Sequence, residues 1–469
     1  MTTKEPHEMT ATELSAQYAT RDLSPVEVAT ALLGRIEALD AEINCFCLID
    51  RNTTMDQAEA SEERWLKGEQ LSPLDGVPVA IKDLLITKGW PTLRGSLTVD
   101  PRGPWIEDAP TVARLKEAGA VMLGKTTSPE FGWKGSTDSP LTGITRNPWN
   151  RDKTPGGSSG GSSAALAARF APLALGTDGG GSIRIPASFT GTYGLKPSFG
   201  RVAAYPLSPF GTVAHVGPMT RTVRDAAMMM NVIGKPDPRD WFSLPDEGID
   251  YTARLGESMK GKRIAWSPRL GYVQRILPEV ERLVAEAVKR FEAMGAIVEQ
   301  ADPPGGDTSE TFQKLWWSGA GFLLGDYPEE QKAKLDPGLR RMAEEGVKFD
   351  KKAYLRANAA RGAYGSQMRV FMENYDFLVT PALATTAFDV GKLSPFGEDG
   401  KAWMTWTPFS SPFNLTQQPA ASVPCGFADD GLPVGLQIVG KMFDDAGVLA
   451  ASAAYEAADP HYDAVPKGF

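Results

Sequence analysis

Apolar positions near the start of the chain recur every three to four residues. After Ser24, the residues Val28, Leu32, Ile36 and Leu39 fall on one helical face. Two helix starts precede that stripe. Thr10-Ala-Thr-Glu13 and Ser24-Pro-Val-Glu27 both have the form of a capping box, the second with proline at the first helical position. The pattern then changes to short continuous runs. Residues 77–85 (VPVAIKDLL) follow Asp75-Gly76 and predict a buried strand that contains one lysine, Lys82. A helix is predicted over 111–118, ending at Gly119, and a strand over 120–123. Helices and buried strands alternate to about residue 235, which predicts layers of helix on a mixed or mostly parallel sheet.

Farther on, residues 235–260 are rich in Pro and Asp and predict a surface excursion. Strands are predicted at 261–266 and 296–299, around a helix at 278–294. Residues 300–415 lack a clear period, are rich in aromatics, and read as irregular structure around a substrate pocket. Strand pattern returns in AASVPCGF and GLPVGLQIVG, followed by a final helix. A sheet that resumes at the C-terminus predicts one large α/β/α layered domain over 1–469, with its core motifs at 76–202.

Composition narrows the function classes. The 469 residues are 42% apolar and 23% charged, ordinary for a globular enzyme, and the net charge of −9 argues against nucleic-acid or anionic-membrane partners. Cys45, Cys47 and Cys425 form neither a disulfide framework nor a zinc spacing, so no metal is expected. Cys45 and Cys47 read as small buried residues beside a strand. No apolar leader or spanning segment stands out, so the expected place is the cytoplasm, with reduced thiols.

Two motifs mislead. Residues 119–126 (GAVMLGKT) match the phosphate-loop pattern, but a helix precedes them and the variable positions are strand-like, the reverse of the required context. Residues 156–160 (GGSSG) match a nucleophile elbow, which serves a histidine-based triad. The chain has three histidines; His7 and His461 are terminal, and His215 follows Ser158 by only 57 residues. Serine chemistry here calls for another base.

Residues 154–168 (TPGGSSGGSSAALAA) run directly into a helical segment, and a second cluster, GTDGGGSIR, spans 176–184. Two such clusters flanking one helix indicate an ordered site. Glycines allow close backbone approach, and successive N–H groups with a helix N-terminus form a nest for a phosphate or an oxyanion. Ser162 and Ser163 read as helix caps.

Three separated segments resemble the amidase signature family: PGGSSGGSS at 155–163, LGTDGGGSIRIPASFTGTYGLKPSFGRV at 175–202, and GVPVAIKDL at 76–84. Weaker similarity covers 118–132, 147–149, 216–227 and 414–426. The resemblance implies a Ser-Ser-Lys triad: Ser182 as nucleophile, Ser158, after a cis peptide at Gly157, as the bridging serine, and Lys82 as base. It implies an oxyanion hole from the amides of Gly179, Gly180, Gly181 and Ser182, with Ser159, Asp178 and Arg184 in support. Arg184 reads more readily as a structural ion-pair partner than as a substrate contact. The chemistry is consistent: a serine needs an adjacent base, and a lysine, with an ordinary pKa of about 10.4, acts as one only where burial disfavours its charge.

The resemblance implies no cofactor, a small-molecule amide as partner, and a monomer or homodimer. Candidate pocket residues are Phe131, Trp133, Thr137, Trp316, Trp317 and Phe413. Lys134 and Lys401 are the few cations near them, so neutral apolar or aryl amides, anilides or carbamates are expected to be preferred. An alternative is the glutaminase component of a tRNA-dependent amidotransferase. Its typical segments SSLDQIGPM and MDEF correspond here to GTVAHVGPM and SPEF, and both departures weigh against it. A further alternative is an idle scaffold or a nucleotide-binding protein, opposed by the intact lysine and serines and by the reversed phosphate-loop context.

Overall fold

Both capping boxes form. In the computed structural model, which describes residues 4–397 and 402–469, the side chains of Thr10 and Ser24 accept the N–H groups of Glu13 and Glu27, opening the helices Ala11–Thr20 and Pro25–Ile43. The strands, in chain order, are β1 (Phe46–Ile49), β2 (Pro78–Lys82), β3 (Val121–Thr126), β4 (Asp138–Ser139), β5 (Gly143–Ile144), β6 (Leu173–Asp178), β7 (Tyr193–Lys196), β8 (His215–Thr220), β9 (Arg263–Trp266), β10 (Ile297–Gln300), β11 (Phe377–Pro381), β12 (Ala420–Phe427) and β13 (Pro433–Gly440). Eleven of them form one mixed sheet in the order β1-β3-β2-β6-β8-β7-β12-β13-β11-β9-β10, and β4 and β5 make a small hairpin. The sheet has parallel sets at β3-β2-β6 and β11-β9-β10, with antiparallel pairing across its middle. Helices flank it, and a single large core of buried side chains runs through the layers. Among the described residues no helix is long and apolar enough to cross a membrane.

Several elements differ from the sequence expectation. Strand β2 ends at Lys82 rather than continuing to 85, because the chain turns there: the Leu85 N–H bonds the Lys82 carbonyl. Strand β3 continues to Thr126, since Lys125 and Thr126 pair with Ile81 and Lys82. The largest difference lies in 300–415. This region holds the helices Ser309–Leu324, Glu329–Lys332, Pro337–Gly346 and Lys351–Met372, and then β11. Glycines interrupt the apolar period there because two helices touch at them. A Cβ on Gly346 would stand 1.9 Å from the Trp317 carbonyl oxygen, and one on Gly321 2.7 Å from Gly346. Cys45 is buried as expected, but Cys47 is exposed.

Candidate active site

Strand β2 delivers Lys82 to the ends of both glycine-serine clusters. Its side chain is fully buried, and Nζ lies 2.8 Å from each of three hydroxyl oxygens: Ser158 Oγ, Ser159 Oγ and Thr177 Oγ1. Among the described residues no carboxylate touches it. Burial pushes the Lys82 amine well below its ordinary value, and Asp178, nearby, opposes this. A neutral amine has two N–H donors and one lone pair. Three hydroxyls around it therefore need one to donate. Ser159 Oγ is placed 3.2 Å from the Thr177 carbonyl, where its own proton goes. The proton of Ser158, which makes no other hydrogen bond among the described residues, is free to point at the lone pair.

The first cluster enters this arrangement through a cis Gly157–Ser158 peptide. No Cβ fits on Gly157: it would come within 2.7 Å of the Ser136 carbonyl oxygen. The helix Gly160–Ala167 follows, with Ser159 at its N-cap. Ser162 and Ser163 are not caps. Ser162 Oγ bonds the Leu175 carbonyl and Thr126, and Ser163 Oγ bonds the Pro186 carbonyl and Thr190, so they tie this helix to the sheet and to the helix Arg184–Thr190.

The second cluster turns sharply after β6. Asp178 is fully buried. Burial pushes its carboxyl up, but Arg184, Lys196 and Asn414 outweigh that and hold it below the usual carboxylate range. The Arg184 fork donates to both carboxylate oxygens at 2.9 Å, and Arg184 also bonds Ser410 O, Gln437 Oε1 and Asn414 Oδ1. Arg184 is thus a structural partner, fully buried and away from the cavity. Asp178 Oδ1 also accepts the Gly181 N–H at 2.8 Å. The Gly181 amide, one of the four expected oxyanion donors, is thus already bonded to a carboxylate, whereas the N–H groups of Gly179, Gly180 and Ser182 have no hydrogen-bond partner among the described residues. Cβ atoms on Gly179 and Gly180 would stand 2.6 Å from Trp316 and Phe312, so side chains are excluded there.

Ser158, Thr177, Gly179 and Ser182 open into one cavity of about 610 Å³. Its walls are mostly apolar: Leu84, Phe131, Phe199, Phe210, Ala214 and Trp316. Trp316 stacks on Phe210 with ring centroids 3.8 Å apart. Of the candidate pocket residues, Phe131 and Trp316 line this cavity. The other four do not, because each is used elsewhere. Thr137 bonds the Gly156 carbonyl, Trp133 and Trp317 face a separate small recess, and Phe413 is wholly buried in the core. Lys134 is engaged by Asp138 and Asp336, and Lys401 lies outside the described residues. Sequence reasoning missed Asn414 and Gln437, whose partners are more than 200 residues away in the chain, and Arg94, which lines the cavity.

The rival features fall away on geometry. His215 lines the cavity, but its Nδ1 sits 2.8 Å from the Val213 carbonyl and it bonds neither serine. Burial and then the charge of Lys196 push its imidazole well below the ordinary value, so it is neutral. Lys125 of the phosphate-loop-like stretch is fully buried and bonds the Leu85 carbonyl, Thr92 and Asp83. Among the described residues no group of acidic, histidine or cysteine side chains is placed to hold a metal.

Comparison with known proteins agrees. The family model described as Amidase matches residues 27–449. An acylamidase of Rhodococcus erythropolis is 39% identical, covering 99% of this chain and 98% of the relative. A glutamyl-tRNA(Gln) amidotransferase component from Chloroflexus aurantiacus is 36% identical over 96% of this chain and 97% of its own. The crystal structure of a bacterial aryl acylamidase of the amidase signature family superposes with a TM-score of 0.91 at 32% identity, covering 98% and 99% of the two chains. The similarity thus runs along nearly the whole sequence and through the fold: the chain belongs to the amidase family of amidase signature enzymes, which hydrolyse carbon–nitrogen bonds.

Proposed function

We propose that the chain hydrolyses small apolar or aryl carboxamides and anilides through a Ser182 acyl-enzyme. The observation that carries this reading is Lys82, buried against three hydroxyls with no carboxylate in contact among the described residues. Ser182 Oγ attacks the carbonyl carbon. Its proton passes to Ser158, whose own proton moves to Lys82 Nζ. The developing oxyanion is met by the unbonded N–H groups of the Gly179–Ser182 turn, which need no reorganisation as charge appears. Collapse breaks the C–N bond, and the departing nitrogen takes its proton back from Lys82 through Ser158. Water, activated by the same relay, then cleaves the ester and restores Ser182. The steps require no metal or organic cofactor.

The cavity supports the substrate class. Apolar burial contributes about 25 cal/mol per Å², and an unpaired buried charge is costly. Aryl and apolar acyl groups therefore fit these walls better than glutamine, a zwitterion. Carbamates and esters carry the same carbonyl and belong in the same screen. The acylamidase and aryl acylamidase relatives add weight on the same side. The test is a panel of aryl anilides, aliphatic amides, carbamates, esters and glutamine ranked by kcat/KM. Anilides are expected to lead; glutamine or another small dicarboxylic monoamide leading would overturn the reading in favour of an amidotransferase component.

A further inference from the structure

Arg94 stands apart from the other buried cations. Arg184 is paired with Asp178, Lys134 with two aspartates, and Arg64 with Asp75. Arg94 lines the active-site cavity and is only partly exposed, yet its guanidinium has no hydrogen-bond or ion-pair partner among the described residues. Only its backbone is bonded: its N–H donates to Asp83 Oδ2 at 2.8 Å, and its carbonyl accepts the Phe131 N–H at 2.8 Å. Asp83 acts on the Arg94 charge only at a distance and makes no contact with the guanidinium; its carboxylate is paired with Lys125 at 3.3 Å. Whether that pair is ionised or neutral, it adds no net charge. The other charged residue on the wall, Asp240, spends its carboxylate on the Ala204 and Phe242 N–H groups. Arg94 is therefore the one cationic side chain of the cavity lining, and its fork is left without a hydrogen-bonded partner among the described residues; an arginine fork is suited to a carboxylate.

Position decides which half of a substrate it meets. A Cβ on Gly132 would come 3.2 Å from Ser158 Oγ and 2.8 Å from Leu84. Gly132 follows Phe131, whose N–H bonds Arg94. The backbone of Arg94 is thus tied to the segment beside Ser158, whereas Trp316 packs against Gly179 on the proposed oxyanion side. In the mechanism above, on which this inference rests, Ser158 returns the proton to the leaving nitrogen. The amine half of the amide lies on the Ser158 side.

We propose that Arg94 is a specificity-determining residue that binds a carboxylate carried on the amine half, so that the preferred substrates join an apolar or aryl acyl group to an amino acid or an aminobenzoate. Glutamine does not meet this description, because its carboxylate is on the acyl half.

Three matched amides test it: benzoyl para-aminobenzoate, benzoyl para-toluidide, and the anilide of terephthalate, which moves the carboxylate to the acyl half. The wild type is expected to favour the first by kcat/KM. R94M is expected to lower the ratio of the first to the second by roughly 10- to 100-fold, the range for a charged hydrogen-bonded contact, mainly through KM, with R94K recovering part of it. Inhibition by para-aminobenzoate should weaken by a similar factor in R94M while inhibition by para-toluidine holds, a binding readout independent of turnover. An unchanged ratio in R94M, or a wild-type preference for the terephthalate anilide, would overturn the assignment. S182A separates the two readings: if it hydrolyses all three amides as wild type does, the hydrolase mechanism fails; if it is inactive and the R94M ratio is unmoved, only Arg94 fails.

Discussion

Lys82 and Lys125 sit near the ends of neighbouring parallel strands, β2 and β3, and both are fully buried. The register sets them on opposite faces, since Lys125 pairs with Ile81 and Lys82 with Thr126. Their surroundings then diverge. Lys125 meets a carboxylate, Asp83, together with a carbonyl and a threonine hydroxyl; Lys82 meets hydroxyls alone. Burial lowers both amines, but for Lys125 the attraction of Asp83 offsets it directly, whereas for Lys82 the opposing charge, Asp178, makes no contact. One residue offset between two lysines thus separates an ion-paired anchor from the lysine proposed as the base. Burial alone does not suit a lysine to act as a base; burial without a contacting acid, against hydroxyl protons, does.

The comparison breaks if the two lysines are interchangeable. S182A is expected to lose on the order of 10⁴-fold or more in kcat, and K82M and S158A about 10²- to 10⁴-fold, the range of acid–base contributions, while remaining folded. K125M should instead fail in stability. It strands the Asp83 carboxylate, a loss of roughly 3–5 kcal/mol, visible as a lowered Tm that adding D83N partly restores, with kcat per folded molecule much less affected than in K82M. A K82M defect within threefold, or a K125M defect confined to kcat, would erase the distinction.

The pH dependence sharpens it. Lys82 acts only when neutral, so kcat/KM should fall as pH drops through its lowered pKa, well below 10.5. The same shift has a sign in stability. Between the folded pKa and the ordinary value the unfolded chain binds the extra proton, so burying Lys82 costs stability at neutral pH and the cost fades as pH rises toward 10.5. The Tm of wild type relative to K82M should therefore improve with increasing pH; the opposite slope would contradict a neutral lysine. The smallest effect is expected at His215. Its imidazole bonds backbone carbonyls, so H215A should lose less than about tenfold, below the usual range for an acid–base group. A loss equal to that of S182A would restore a histidine-based mechanism.

Much of the catalytic centre was legible because its signals are local. Capping boxes, buried runs and glycine-serine clusters are properties of a few adjacent residues, so the layered fold and the family motifs that hold Lys82, Ser158 and Ser182 could be read in order along the chain. The pocket was not legible in the same way. An aromatic on a cavity wall and one in the core bury the same apolar surface and leave the same pattern, so Phe131 and Trp316 could not be told from Phe413 and Trp133. The helices of 309–372 were hidden by the glycines at which they touch. Which amides of the second cluster stay free was decided by Asp178, which takes the Gly181 N–H, and by Asn414 and Gln437, brought to Arg184 from more than 200 residues away. Arg94 looked like any loop arginine until the fold put it in the cavity wall, its guanidinium without a hydrogen-bond or ion-pair partner among the described residues. The sequence by itself determined the family and the layered fold, and through that resemblance named the proposed reacting groups, because the motifs that carry it are short and local. Only the tertiary structure decided which hydrogen bonds were already spent and which charge was left over, because those depend on partners that chain order does not place together.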